Sequence, residues 1–167
     1  IQRMLLYTET LEKNDRYKLC IWPPHCLIAT PGHNVYTPIR EALLDWEKDV
    51  AMVDYVTKGS NYLTEHYSCV QSDVPDPSDP STQLNIKLIE TLQKTDLLVC
   101  CGEALSHCVL YSLLDICNNF GEENIKKMYL IRDCSSIIPG FEDNTEKTLN
   151  SLIKRGLNIT THDKFLL

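Results

Sequence analysis

The stretch from Leu97 to Phe120 constrains the fold more than any other part of the chain. Leu97-Leu-Val-Cys-Cys101 is an apolar run too short for a helix and bounded by Asp96 and Gly102, which predicts a buried strand. Beyond it Val109, Leu113, Ile116 and Phe120 recur at helical spacing, and Gly121 supplies a stop. Cys108 therefore falls near the first turn of a helix, where unpaired backbone N–H groups and the helix dipole favour an anion. A thiol there is expected to ionise more readily than a free one, and the thiolate is the reactive form. The plain alternative is that Cys108 is a small buried apolar residue, the common role of a cysteine.

The rest of the chain repeats this alternation. Residues 1–15 carry Leu5, Leu6 and Leu11 among polar residues and read as an amphipathic helix. Tyr17–Trp22 is short and apolar, and Pro23-Pro24 ends any regular element there. Thr37–Trp46 reads as a helix with Thr37 as N-cap, Pro38 at the first position, and Ile39, Ala42, Leu43 and Trp46 as its buried face. Val50–Val56 is an expected strand that delivers Lys58 and Gly59 just past its end. Residues 70–83 (VQSDVPDPSDPSTQ) are an expected surface loop, after which Asp79-Pro80 opens a helix with Leu84, Leu88 and Leu92. Met128–Asp133 is a strand, Asp143–Glu146 resembles a capping box before Leu149, Leu152 and Ile153, Gly156 closes that helix, and Leu157–Thr160 is a last strand. Strands alternating with helices imply an α/β sandwich with a parallel sheet, whose ligands lie beyond the carboxyl ends of the strands. Lys58, Cys108 and Asp133 all fall near such ends.

A chain of 167 residues is long enough for a real hydrophobic core, and 43% hydrophobic with 23% charged residues is ordinary globular composition. The net charge of −7, with no clustered basic stripe, argues against nucleic acid as a partner. No apolar run approaches membrane-spanning length, and the first fifteen residues lack a signal-peptide pattern. The eight cysteines lie mostly in apolar runs without paired CxxC spacing, which favours a reduced, cytoplasmic protein over a disulfide scaffold.

A cysteine nucleophile needs an aid to its thiolate, a route for protons and donors for the developing oxyanion. Lys58 could place an ammonium beside the sulfur, although a solvated surface lysine is the commoner fate. Backbone N–H groups of the Gly102–Cys108 turn could serve an oxyanion. His107 is adjacent to Cys108, but neighbouring residues at a helix start point in different directions, which disfavours a Cys–His dyad. In Trp22-Pro-Pro-His-Cys26 the prolines fix the aim of His25, which suits a metal ligand or a loop hydrogen bond. Glu65 and His66 are further candidates for ligands.

Taken together, WPPHC (22–26), TPG (30–32), TKG (57–59), YS (67–68) and CGEALSHCV (101–109) resemble the isochorismatase-like cysteine hydrolase superfamily, with nicotinamidase-related amidases as the nearest branch. The resemblance runs in order from about Tyr17 to Thr160. It implies a three-layer α/β/α sandwich around a central, mostly parallel sheet, with residues 1–167 as one hydrolase domain. It implies Cys108 as nucleophile, Lys58 as its activator, and an oxyanion hole of the Ala104 and Cys108 N–H groups after a cis Glu103–Ala104 peptide. His25 becomes a ligand of a divalent metal, often zinc, that holds the ring nitrogen of the substrate. The implied reaction is hydrolysis of a small-molecule amide such as nicotinamide: thiolate attack, ammonia release, then hydrolysis of the thioester.

Two parts of the family pattern lie upstream of WPxHC and have no counterpart before Trp22: the catalytic aspartate and a D-x-H metal motif. Asp15, in an NDR turn, is not promoted to either role. The expectation is a C-terminal portion of a longer polypeptide that lacks the first strands, completed by a companion N-terminal segment or working as a homo-oligomer, with no membrane partner. The alternative is a non-catalytic isochorismatase-like scaffold or subunit that has lost its aspartate.

Overall fold

A computed structural model describes residues 1–14, 16–49 and 52–165. The expected strand at 97–101 forms as β1 (Leu98–Cys100), and those at 128–133 and 157–160 form as β2 (Met128–Ile131) and β3 (Asn158–Thr160). They make a parallel sheet in the order β1-β2-β3, with Val99 opposite Tyr129 and Leu130 opposite Ile159. Helix α1 (Gln2–Lys13) opens the chain, and α2 (Thr37–Asp49) and α3 (Ile86–Gln93) precede the sheet. Helices α4 (Leu110–Asn119) and α5 (Glu122–Ile125) connect β1 to β2, α6 (Glu142–Arg155) connects β2 to β3, and α7 (His162–Phe165) follows. Both crossovers step to the next strand in the same direction, and crossovers of one hand, the general rule for parallel strands, lay their helices on one face. These two helices pack against each other.

The core follows the predicted pattern. Leu113, Ile116 and Phe120 of the α4 region are buried with Met128 and Leu130 of β2 and Leu149 and Leu152 of α6. Gly156 ends α6 with φ +118°, a left-handed conformation that a side chain would strain.

Several expectations fail in the N-terminal third. In α1 the buried stripe is Tyr7 and Leu11, four residues apart, whereas Leu5 and Leu6 face outward at 58% and 64% exposure. The reason is where α1 docks: the Tyr7 hydroxyl accepts from Glu65 N–H at 3.0 Å and Arg3 pairs with Asp76, so the helix leans on the 63–77 segment by that side. Helix α2 forms, but with no buried residue; of its expected apolar face only Leu43 is half-buried, because none of the described elements covers it. Of the strand expected at 50–56, Val50 and Ala51 lie outside the described residues, as does Asp15, and 52–56 has no regular structure. A strand needs a neighbour to take its N–H and C=O groups, and the described sheet offers none beside this segment.

Three helix starts also differ. Asp79 caps only a short 3₁₀ turn, Pro80–Thr82, while α3 begins later under an Asn85 side chain that accepts from Leu88 N–H at 3.0 Å. The 70–83 loop is not wholly superficial: Ser72 and Thr82 are buried and hydrogen-bonded within it, and Asp73 is buried against Arg16 and Tyr67 N–H. Thr37 is the first residue of α2 and not its cap. The 143–146 box does not cap either: α6 starts at Glu142 with no side-chain cap, and Glu142 reaches back to Gly140 N–H instead.

Candidate active site

Cys108 lies on a wide π-type turn, Leu105–Val109, that leads from β1 into α4. Val109 N–H bonds back five residues to Ala104 O at 3.2 Å, and His107 N–H shares that oxygen at 3.0 Å. The sulfur is neither fully buried nor fully exposed. Lys58 reaches it from the far end of the 52–58 segment: its Nζ donates to His66 O at 2.9 Å and lies 3.4 Å from Cys108 Sγ. The sequence separates these residues by fifty positions, and the fold brings the amine and the thiol together.

The turn before Cys108 is strapped to the segment after β2. Gly102 N–H donates to Cys134 O and Ser135 Oγ, both at 3.1 Å, and Leu105 N–H to Ser136 O at 2.8 Å. Ser136 N–H answers by donating to the Glu103 carboxylate at 3.1 Å. Ala104, half-buried, follows a cis Glu103–Ala104 peptide as expected. Gly102 has φ +122°, which admits glycine where strand becomes turn.

An aromatic nest lies beside the thiol along the chain. The buried His107 ring meets Phe141 at 4.5 Å and Trp22 and Tyr67 at 5.2 Å, all nearly edge to face. Trp22 Nε1 donates to the Tyr67 hydroxyl at 2.6 Å. Burial lowers the His107 pKa and raises that of Tyr67. His107 makes no hydrogen bond to Cys108; its Nδ1 pairs with Ser106 Oγ at 2.9 Å. Sequence reasoning missed this nest, because Trp22 drew attention only as a frame for His25 and Phe141 lies in an unremarkable loop. Arg16 was missed as well. It hydrogen-bonds the buried carboxylates of Asp73 and Asp115 and gives its carbonyl to the Tyr111 hydroxyl, tying the start of the chain to α4.

Other predicted residues stand apart. His25 is exposed and its Nδ1 lies 2.7 Å from Pro23 O. Glu65 is close enough to His25 and Lys58 to feel both charges, yet burial still raises its pKa; burial, then Lys58, lowers that of His66. Among the described residues only Asp133, His162 and Asp163 form a trio with ligand atoms within 4.8 Å of one another. A metal at His25 thus finds one imidazole and no closed set of donors there. Asp133 sits past β2 as expected, but it pairs with His162 at 2.6 Å rather than with Lys58 or Cys108. Two cavities stand out, one of about 590 Å³ along α2 and one of about 220 Å³ between α1 and Pro77, and neither is lined by Cys108. No described helix is long and apolar enough to cross a membrane.

No family model matches the chain, and neither does any curated protein sequence. Solved structures do. The yeast nicotinamidase Pnc1p bound to the inhibitor nicotinaldehyde superposes with a TM-score of 0.60 at 18% identity, over 84% of this chain and 58% of that one. The pyrazinamidase of Pyrococcus horikoshii in complex with zinc gives 0.54 at 20% identity, over 96% and 85%. The fold is that of the isochorismatase-like nicotinamidases. The nicotinamidase/pyrazinamidase PncA from Bacillus subtilis agrees, with a TM-score of 0.53 at 17% identity over 95% and 82%. Against the two yeast nicotinamidase structures the chain spans 58% and 57% of their length.

Proposed function

We propose that this chain carries the thiol centre of a cysteine amidohydrolase that cleaves a small-molecule amide such as nicotinamide to the acid and ammonia. The observation that carries the reading is the 3.4 Å approach of Lys58 Nζ to Cys108 Sγ at the start of the helix after β1. An ammonium at that distance stabilises negative charge on sulfur, and the helix start adds to it. The thiolate attacks the amide carbon, the tetrahedral oxyanion faces the N–H groups of Ala104 and Cys108, and the C–N bond breaks to release ammonia as the nitrogen takes up a proton. Water then hydrolyses the thioester and returns the thiol. The nicotinamidase fold of the neighbours supports the amide as substrate class.

A divalent metal at His25, with zinc a candidate, is a further expectation of the resemblance; the described residues do not close a site around it, so no step runs through a metal. A cytoplasmic setting, and completion by a homo-oligomer partner or a companion N-terminal segment, belong to the same proposal. The non-catalytic scaffold is favoured by one observation: among the described residues no carboxylate forms an ion pair with Lys58 or a hydrogen bond with Cys108.

Ammonia release from nicotinamide, with Cys108→Ala as control, separates the two. Turnover abolished in the variant is the expected result. Turnover unchanged in the variant removes Cys108 from the reaction, and no turnover in the parent chain favours the scaffold.

A further inference from the structure

Ser106 is buried, at 2% exposure, two residues before Cys108. Its hydroxyl oxygen accepts from Ile138 N–H at 3.1 Å and lies 2.9 Å from His107 Nδ1. A hydroxyl has one proton to give and two lone pairs to receive. With Ile138 already donating to it, a buried O–H has His107 Nδ1 as its acceptor among the described residues, for a proton on Nδ1 would leave the hydroxyl proton without one. We infer that Ser106 is a positioning residue that holds His107 as its Nε2–H tautomer, so that the ring keeps a hydrogen-bond donor within its aromatic nest.

The other nitrogen is placed to use this. Among the described residues His107 Nε2 has no hydrogen-bond partner, and the residue as a whole is 5% exposed. Trp22, Tyr67 and Phe141 surround the ring with aromatic edges. Burial disfavours the imidazolium, which leaves a neutral N–H in an apolar nest with no acceptor among the described residues. Its partner is a neutral, flat ligand offering an acceptor such as a carbonyl oxygen or a pyridine-type nitrogen. A ligand offering only a donor there is rejected, because two N–H groups would face each other. Ser106 also joins the 135–138 segment to the turn, so one hydroxyl sets both the tautomer and the seat of the ring.

The use of this donor on a substrate rests on the amidase reading; the tautomer does not. The test is a long-range proton–nitrogen NMR correlation on the uniformly ¹⁵N-labelled chain at neutral pH. The expected spectrum shows His107 Nε2 protonated and Nδ1 bare. Ser106→Ala should move the Nδ1 resonance and speed exchange of the Ile138 amide about tenfold, and Ser106→Thr should restore both. If Ser106→Ala does not fold, Ser106→Cys, a weaker donor of similar size, should give intermediate values. A proton on Nδ1 in the parent chain, or an Nδ1 resonance indifferent to loss of the hydroxyl, overturns the assignment. In parallel, Ser106→Ala should raise KM for nicotinamide about tenfold while iodoacetamide modifies Cys108 at the parental rate. A chain with the expected tautomer but no turnover would sink the amidase reading and leave this one standing.

Discussion

Replacing Arg16 by methionine keeps most of the aliphatic stem and removes the charge. In the native chain the guanidinium makes four hydrogen bonds, two to Asp73 at 2.8 and 3.1 Å and two to Asp115 at 2.8 and 3.1 Å. The side chains of Arg16, Asp73 and Asp115 are 11%, 0% and 2% exposed. Burial alone would pull the Arg16 pKa down, yet hydrogen bonding and charge from Asp115, and then from Asp73, hold it above its ordinary value. Arg16→Met strands two carboxylates away from water, and breaking a buried pair in this way costs about 3–5 kcal/mol. Against a total stability of about 5–15 kcal/mol this is a large fraction. In urea unfolding followed by circular dichroism, a slope of about 2 kcal/mol per molar puts the midpoint lower by roughly 2 M. Arg3→Ala is the control, because its ion pair with Asp76 has the arginine 54% exposed and water screens it, so its loss should move the midpoint far less. Asp73→Asn and Asp115→Asn combined with Arg16→Met should recover part of the loss, since the stranded charges are then gone. A loss for Arg16→Met no larger than that of the control would refute the claim that this triad fastens the start of the chain to α4.

Two further outcomes follow from the site and the sheet edge. Lys58→Met should slow iodoacetamide modification of Cys108 about tenfold, since a unit charge 3.4 Å away interacts at roughly 1 kcal/mol even at the dielectric constant of water. Mass spectrometry of the peptides checks it, and equal rates would show that the amine does not act on the sulfur. The half-buried Cys100 and the buried Cys117 should lag behind, because desolvation pushes Cys100 up to about 12 and Cys117 up to about 11. His162 should titrate above its ordinary 6.5, chiefly through its hydrogen bond to Asp133, and Asp133 below its ordinary 3.8 through the same bond. The His162 contribution to stability is complete below pH 6.5 and fades as pH rises through the higher folded value; that of Asp133 is complete above pH 3.8 and fades as pH falls through the lower one. NMR titration of the His162 ring protons tests this, with Asp133→Asn expected to bring the midpoint down; no movement would dismiss the pairing.

What the sequence disclosed depended on whether a residue's partners were local. The strand at 98–100, the helix at 110–119 and the glycine stop at 156 rest on nearby apolar periodicity and on backbone angles, and they formed. The expected pairing of Lys58 with Cys108 came from motif order, and the fold brings the two together. The apolar stripe of α2 and the run at 52–56 carried equally good local signals and found nothing to pack on, because burial is decided by what lies opposite. The capping box failed for a smaller reason, as Glu142 started the helix one residue before the pattern. The nest around His107 and the Arg16 clamp are built from residues up to 119 positions apart, Trp22 and Phe141 being the widest pair, and no spacing rule announces them.

The π-type turn has a consequence for how this segment can vary. Its five-residue return to Ala104 fits one more residue into the bend than an ordinary helical turn would hold. Delete one position of this turn other than Cys108 and the coil can tighten to a regular one. Everything upstream then swings by about 100° about the helix axis, and the sulfur no longer faces the lysine. Length between Gly102 and Leu110 is thus under control as strict as the identity of Cys108, and a one-codon deletion there should leave α4 helical yet ruin the chemistry.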